Sequence, residues 1–290
     1  MKILVESGAT KSTCIGYNDT CIFFTCKTTG INATYASKEA IISIFEEIIT
    51  KNDIIIEEIT NLRYFGAGCF NTKNAEKVKE ALSRLFPNAN ISVFSDLYAA
   101  CYALCKNSKG FVGILGTGAA SCYYNGTQIV DKSPSLGYLL GDEGSGVYLG
   151  KKFVQAYLTD KIELEVAKDF EMSWLGKIAD EEISEKKIID LKQVVLEKVY
   201  RDPKPQVFFA SIPVFMQKHR ENMHIKALIA NSFQEFFDKQ IDYYGNFISP
   251  WFFCGSILYY FQDILLEVAG KNEIYVERVI QECALYLLQN

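Results

Sequence analysis

This sequence is short of several things, and each shortage narrows its function. Only 6 of its 290 residues are proline, and charged residues make up 22% against 49% hydrophobic. That balance excludes a disordered or fibrous chain. No basic run is present, and 30 Lys and Arg against 35 Asp and Glu leave a net charge of −5, so nucleic acid is not an expected partner. No apolar run reaches the roughly 20 residues that span a bilayer. The longest greasy region, Asn246 to Leu266, is broken by Ser249-Pro250 and by Gln262-Asp263. Met1-Lys2 leads through three apolar residues to Glu6, too short a stretch for a signal sequence. A cytoplasmic protein with no membrane partner is the expectation. Nine cysteines, odd in number and never spaced C-x-x-C, suggest neither a disulfide framework nor a zinc motif. Most lie in apolar segments, where a thiol behaves as a small hydrophobe. His219 and His224, five apart, do not share a helix face and read as solvated, while Trp174 and Trp251 read as packing residues.

What is there is a repeated pattern. At roughly 150 residues per domain the length allows about two domains. Ile3-Leu4-Val5, Thr13 to Tyr17 and Cys21 to Thr25 read as a three-strand meander, its first turn being Ser7-Gly8-Ala9-Thr10-Lys11. A helix after the N-cap candidate Ser37 follows. Strands at Leu62 to Phe65 and Ile91 to Phe94 then alternate with helices at Lys73 to Phe86 and Asp96 to Cys105. This alternation argues a mainly parallel, helix-covered sheet. About 110 residues on, the opening recurs: strand Phe111 to Leu115, turn Gly116-Thr117-Gly118-Ala119, strand Ala120 to Tyr124, hairpin Asn125-Gly126 and strand Thr127 to Val130. A duplicated domain is the simplest account. The remainder is mostly helical, with helices expected at 144–158, 181–200, 227–244 and 257–268 and a strand at Trp251 to Cys254. We place the domains at 1–108 and 109–274, with a C-terminal helix over 275–290 returning to the first.

Two small-residue turns, one in each half, would face each other across a cleft. Such turns offer unobstructed backbone N–H groups and hydroxyls to phosphate oxygens. Asp96 closes a strand and opens a helix, a position that suits an N-cap and a proton-accepting carboxylate equally.

Glu6-Ser7-Gly8-Ala9-Thr10-Lys11-Ser12, Gly116-Thr117-Gly118, Gly141-Asp142-Glu143-Gly144-Ser145-Gly146 and Phe253-Cys254-Gly255-Ser256 occur in that order. Together they resemble the N-acetylglucosamine kinase and BadF/BadG/BcrA/BcrD ATPase group of the actin-like ATPase superfamily. The resemblance implies an α/β fold of two ribonuclease H-like domains with ATP and Mg²⁺ in the interdomain cleft. It implies ATP-dependent phosphorylation of an N-acetylated amino sugar, most simply N-acetylglucosamine, with N-acetylmuramic acid and glucosamine as alternatives. By residue it implies Asp96 as general base, and Gly8, Thr10, Lys11, Gly116, Thr117 and Gly118 around the phosphates. Gly255 and Ser256 would lie against the adenosine, and Glu6, with Glu143, near the metal. Asn32, Asp96, Ser135, Leu136, Gly137 and Asp142 would contact the sugar. The sequence departs from the pattern at Glu6, where many relatives have Asp, at Ala119-Ala120, where a hydroxyl is common, and at Leu136, where an aromatic is common. The dehydratase-activator branch of the group carries an iron–sulfur cluster, for which Cys101 and Cys105 form the one local pair of thiols. A sugar sensor without catalysis is a third reading. The aromatic-rich stretch Phe247 to Phe261 suits a homodimer surface as well as a core.

Overall fold

The computed structural model describes residues 1–175, 190–245 and 249–289. Strands β1 (Lys2–Ser7), β2 (Lys11–Tyr17), β3 (Ile22–Thr29), β4 (Asn61–Gly66) and β5 (Asn90–Ser95) form one sheet in the order β3-β2-β1-β4-β5. Strands β6 (Gly110–Leu115), β7 (Ala119–Tyr124), β8 (Ile129–Lys132), β9 (Trp251–Cys254) and β10 (Val276–Ile280) form a second in the order β10-β9-β6-β7-β8. Read from its other edge, the second sheet repeats the first. In each, the leading strand is antiparallel to the second and parallel to the fourth. The expected α/β architecture with two like sheets is present.

The central strands are near-continuous apolar runs because they are covered on both faces. Ile3, Leu4 and Val5 of β1 are at most 1% exposed. One face of the first sheet packs on α1 (Lys38–Lys51), whose N-terminus is capped by Ser37 as expected, and on α2 (Thr72–Leu85), capped by Asn71. The opposite face meets α3 (Asp96–Leu104) in a core shared with the second sheet, where Leu4, Ile15 and Phe65 join Val112, Cys122 and Phe252. The outer face of the second sheet carries the third core. It is built by α4 (Gly137–Leu140), α5 (Gly146–Leu158), α6 (Leu164–Phe170), α7 (Leu191–Tyr200), α8 (Pro205–Lys218) and α9 (Met223–Tyr244), with α10 (Ser256–Tyr260) and α11 (Gln262–Lys271) following β9.

Two expectations are corrected, and a third is met as far as the described residues go. The C-terminal helix over 275–290 is instead β10, an edge strand parallel to β9, followed by the short α12 (Ala284–Leu287), which enters the shared core through Ala284 and Leu287. The helix expected at 257–268 is broken at Phe261 into α10 and α11. Of the helix expected at 181–200, residues 191–200 are helical and 181–189 lie outside the described residues. Most of the described aromatic stretch is core: Trp251, Phe252, Phe253 and Phe261 are buried, while Tyr259 and Tyr260 are exposed.

Candidate active site

The two glycine-containing turns meet. Each follows the first strand of its sheet, so the like sheets bring them tip to tip, and the Thr10 and Thr117 hydroxyls share a hydrogen bond of 2.7 Å. The backbone holds each turn in place. In the first, the Gly8 N–H donates to the Lys11 carbonyl and the Gly30 N–H to the Thr10 carbonyl, both at 2.9 Å. Gly30 must be glycine for this approach, because a Cβ there would lie 2.5 Å from the Thr10 and Lys11 nitrogens. In the second, the first turn of α5 supplies the donors: Gly146 N–H reaches the Gly116 carbonyl at 2.8 Å and Val147 N–H the Thr117 carbonyl at 3.1 Å.

Between the sheets lies a cleft of about 370 Å³, a volume in the usual range for small-molecule sites. Of the residues expected to form a site, Glu6, Gly8, Thr10, Lys11, Asn32, Asp96, Gly116, Thr117, Gly118, Ser135, Gly137, Asp142, Gly255 and Ser256 all line it. Two do not. Leu136 is 54% exposed outside the lining, and Glu143 pairs at 2.8 Å with Lys239 beside a smaller pocket behind Asp142.

The three cleft carboxylates are tuned by burial. Asp96 begins α3, with Ser95 as its N-cap residue, and accepts the Leu97 N–H at 3.0 Å. Burial raises its carboxyl above the ordinary aspartate range, opposed by that N–H and by the charge of Lys132. Asp142 is likewise raised by burial, against the Ala119 N–H and Lys239. Glu6 is raised by burial although the backbone N–H groups of Cys283 and Ala284 donate to it, the latter at 2.6 Å. Gly255 sits at φ +137, where a Cβ would lie 2.2 Å from the Leu115 carbonyl oxygen; only glycine lets the start of α10 come this close to the second turn.

Sequence reasoning missed Lys132 and Phe70. They reach the cleft from opposite sheets, with the Lys132 Nζ 5.3 Å from the Phe70 ring centroid and 3.2 Å from Ser135 Oγ. The nearest signal was position: Phe70 follows the Gly66-Ala67-Gly68 strand end, and Lys132 precedes Ser135 by three. Lys11, expected to meet phosphate, has a carboxylate partner in Glu282 at 2.7 Å. His219 is not solvated as expected, being half-buried against Asp169 at 2.6 Å, whereas exposed His224 pairs with Glu163. Cys101 and Cys105 are buried in the shared core, Cys101 3.7 Å from Cys122 Sγ, so that pair is not presented at the surface as a cluster shared between subunits would require.

No family model matches the sequence, and no curated protein does. Solved structures do. A Porphyromonas gingivalis protein proposed to be an N-acetylglucosamine kinase is 28% identical with a TM-score of 0.89, the match covering 100% of this chain and 98% of that one. This chain has the actin-like ATPase fold. Its resemblance to the N-acetylglucosamine kinases runs over its whole length. Two further structures share the fold. A Chromobacterium violaceum protein, also proposed to be an N-acetylglucosamine kinase, is 18% identical at TM-score 0.64 over 99% of this chain and 97% of that one. A ROK-family glucokinase of Streptomyces griseus, solved with glucose and AMPPNP, is 14% identical at 0.53 over 97% and 93%. Among the described residues, no helix of this actin-like fold is long and apolar enough to cross a membrane.

Proposed function

We propose that this chain is an ATP-dependent kinase of an N-acetylated amino sugar, with N-acetylglucosamine its leading substrate. The observation that carries the reading is the meeting of Thr10 and Thr117 in one cleft with Glu6, Asp96 and Asp142. Phosphoryl transfer asks a protein chiefly for positioning, charge neutralisation and a carboxylate to accept the hydroxyl proton. The two turns hold the phosphates with backbone N–H groups and the Thr10 and Thr117 hydroxyls. Gly116 fits this role, since a Cβ there would meet nothing within 4 Å and would occupy the space the phosphates need. Gly255 and Ser256 take the adenosine side, while Asn32, Ser135, Gly137 and Asp142 orient the sugar. Asp96, raised by burial against the weaker pull of the Leu97 N–H and Lys132, accepts the proton of the attacking hydroxyl.

The oxygen donors of the cleft fit a hard cation that keeps several of its waters. Glu6 would hold Mg²⁺, which would offset phosphate charge there; Glu143 is already paired with Lys239. A coupled ADP-release screen over amino sugars and plain hexoses tests the reading. Release should be fastest with N-acetylglucosamine, and a rate no higher with any sugar than without would defeat it.

A further inference from the structure

Beside the catalytic machinery assigned above, and sharing Glu6 with it, one cluster combines metal-binding chemistry with a built geometry. The Sγ atoms of Cys254 and Cys283 and a carboxylate oxygen of Glu6 all lie within 4.8 Å of one another. Cys254 ends β9 and is 4% exposed; Cys283 precedes α12 and is 1% exposed. Their sulfurs are 3.1 Å apart, beyond a disulfide bond, and both cysteines are free. The three residues come from separate parts of the chain, which is why no local cysteine spacing betrays them.

The geometry points to a site for a thiolate-preferring divalent cation of the zinc class, ligated by Glu6, Cys254 and Cys283 with its fourth position open to the cleft. The donor set decides the ion: two thiolates select zinc-like ions over Mg²⁺ or Ca²⁺, which take oxygen. Zinc–thiolate bonds of about 2.3 Å in a tetrahedron put two sulfurs about 3.8 Å apart, so the pair needs to part by only a fraction of an ångström. The frame is already fixed. Cys254 is in register with Ile280, whose carbonyl accepts the Gly255 N–H at 3.0 Å. The N–H groups of Cys283 and Ala284 donate to Glu6 and aim its carboxylate, as outer hydrogen bonds aim a metal ligand. Glu6 and Cys254 both line the cleft, giving the ion an entry path. Binding exchanges two thiol protons, released to solvent, for one cation, with no change of oxidation state. Where Glu6 serves the Mg²⁺ of the proposed kinase, a zinc-class ion on the same carboxylate inhibits the enzyme.

Titrating the reduced full-length protein with Co²⁺ tests this without reference to activity. One equivalent should produce a cobalt–thiolate charge-transfer band, and Zn²⁺ at no higher concentration should remove it, following the order of metal affinities. Cys254→Ser and Cys283→Ser should each weaken binding at least about tenfold, a loss typical of a disturbed metal site. Thermal melts verify that each variant is folded, and either one alone suffices if the other is not. Absence of the band at saturating Co²⁺, or a band that survives undiminished in a folded variant, would overturn the site. The kinase reading fails separately, by the sugar screen.

Discussion

The two halves share a strand order but not a division of labour. Both place a hydroxyl-bearing turn after the leading strand, yet β5 is followed by Asp96 and α3, whereas the corresponding β10 is followed by Glu282, Cys283 and α12. Between β3 and β4 the chain adds α1; between β8 and β9 it adds α4 to α9, the bulk of the third core. The repeated scaffold presents two turns face to face, while the ends of the equivalent strands β5 and β10 differ. One end holds a lone buried carboxyl raised by desolvation. The other holds Glu282, which burial pushes up but which Lys11 and Lys27 together bring below its ordinary range.

Changing the acid at each equivalent end gives the sharpest test. Asp96→Asn should lower kcat on the best sugar by about 10²- to 10⁴-fold, the usual worth of a proton acceptor, while calorimetry finds nucleotide affinity largely unchanged. Wild-type turnover in that variant would end the base assignment and the asymmetry with it. Next in size, Gly255→Ala forces a side chain into a positive φ and against the Leu115 carbonyl. Chemical denaturation should register a loss of about 3 kcal/mol.

The acid limb of kcat/KM should lie above the ordinary aspartate range, because the base form of Asp96 is lost as pH falls through its raised value. Lys132→Met removes a charge that favours ionisation, so the limb should move further up; a limb that stays put would show that the charge of Lys132 does not reach Asp96. The sign for stability is opposite: a raised Asp96 stabilises the fold below the unfolded pKa, and that contribution is lost as pH rises through the folded value. Thr117→Val breaks the bond between the turns, worth about 1 kcal/mol, and should raise the KM for ATP about fivefold. Smallest of all, Glu282→Gln leaves Lys11 and Lys27 without a partner at a partly exposed pair. Its effect on unfolding free energy should be within about 0.5 kcal/mol.

The repeat and its turns were legible because strand, small-residue turn and hairpin are local patterns, and β9 was read to the residue. β10 was not, since Val276, Val279 and Ile280 are spaced i, i+3, i+4 and satisfy a helix as well as an edge strand. The break at Phe261 was hidden for a similar reason: its ring is buried, so apolar periodicity runs straight through it. In the site, glycines and carboxylates announced themselves by motif. Lys132 and Phe70 did not, because their significance lies in a contact between sheets that no local spacing encodes.

The contact between α3 and α12 has a mechanical consequence. Ala99, Ala100, Ala103 and Ala284 are all buried in the core the two sheets share. Methyl groups make shallow ridges, so one helix can slide past the other with little repacking, the shear mode by which packed helices move. α3 also carries Tyr102, whose ring meets Phe65 and Phe94 of the first sheet and Tyr124 of the second, so any movement of one half over the other has to carry that aromatic link with it.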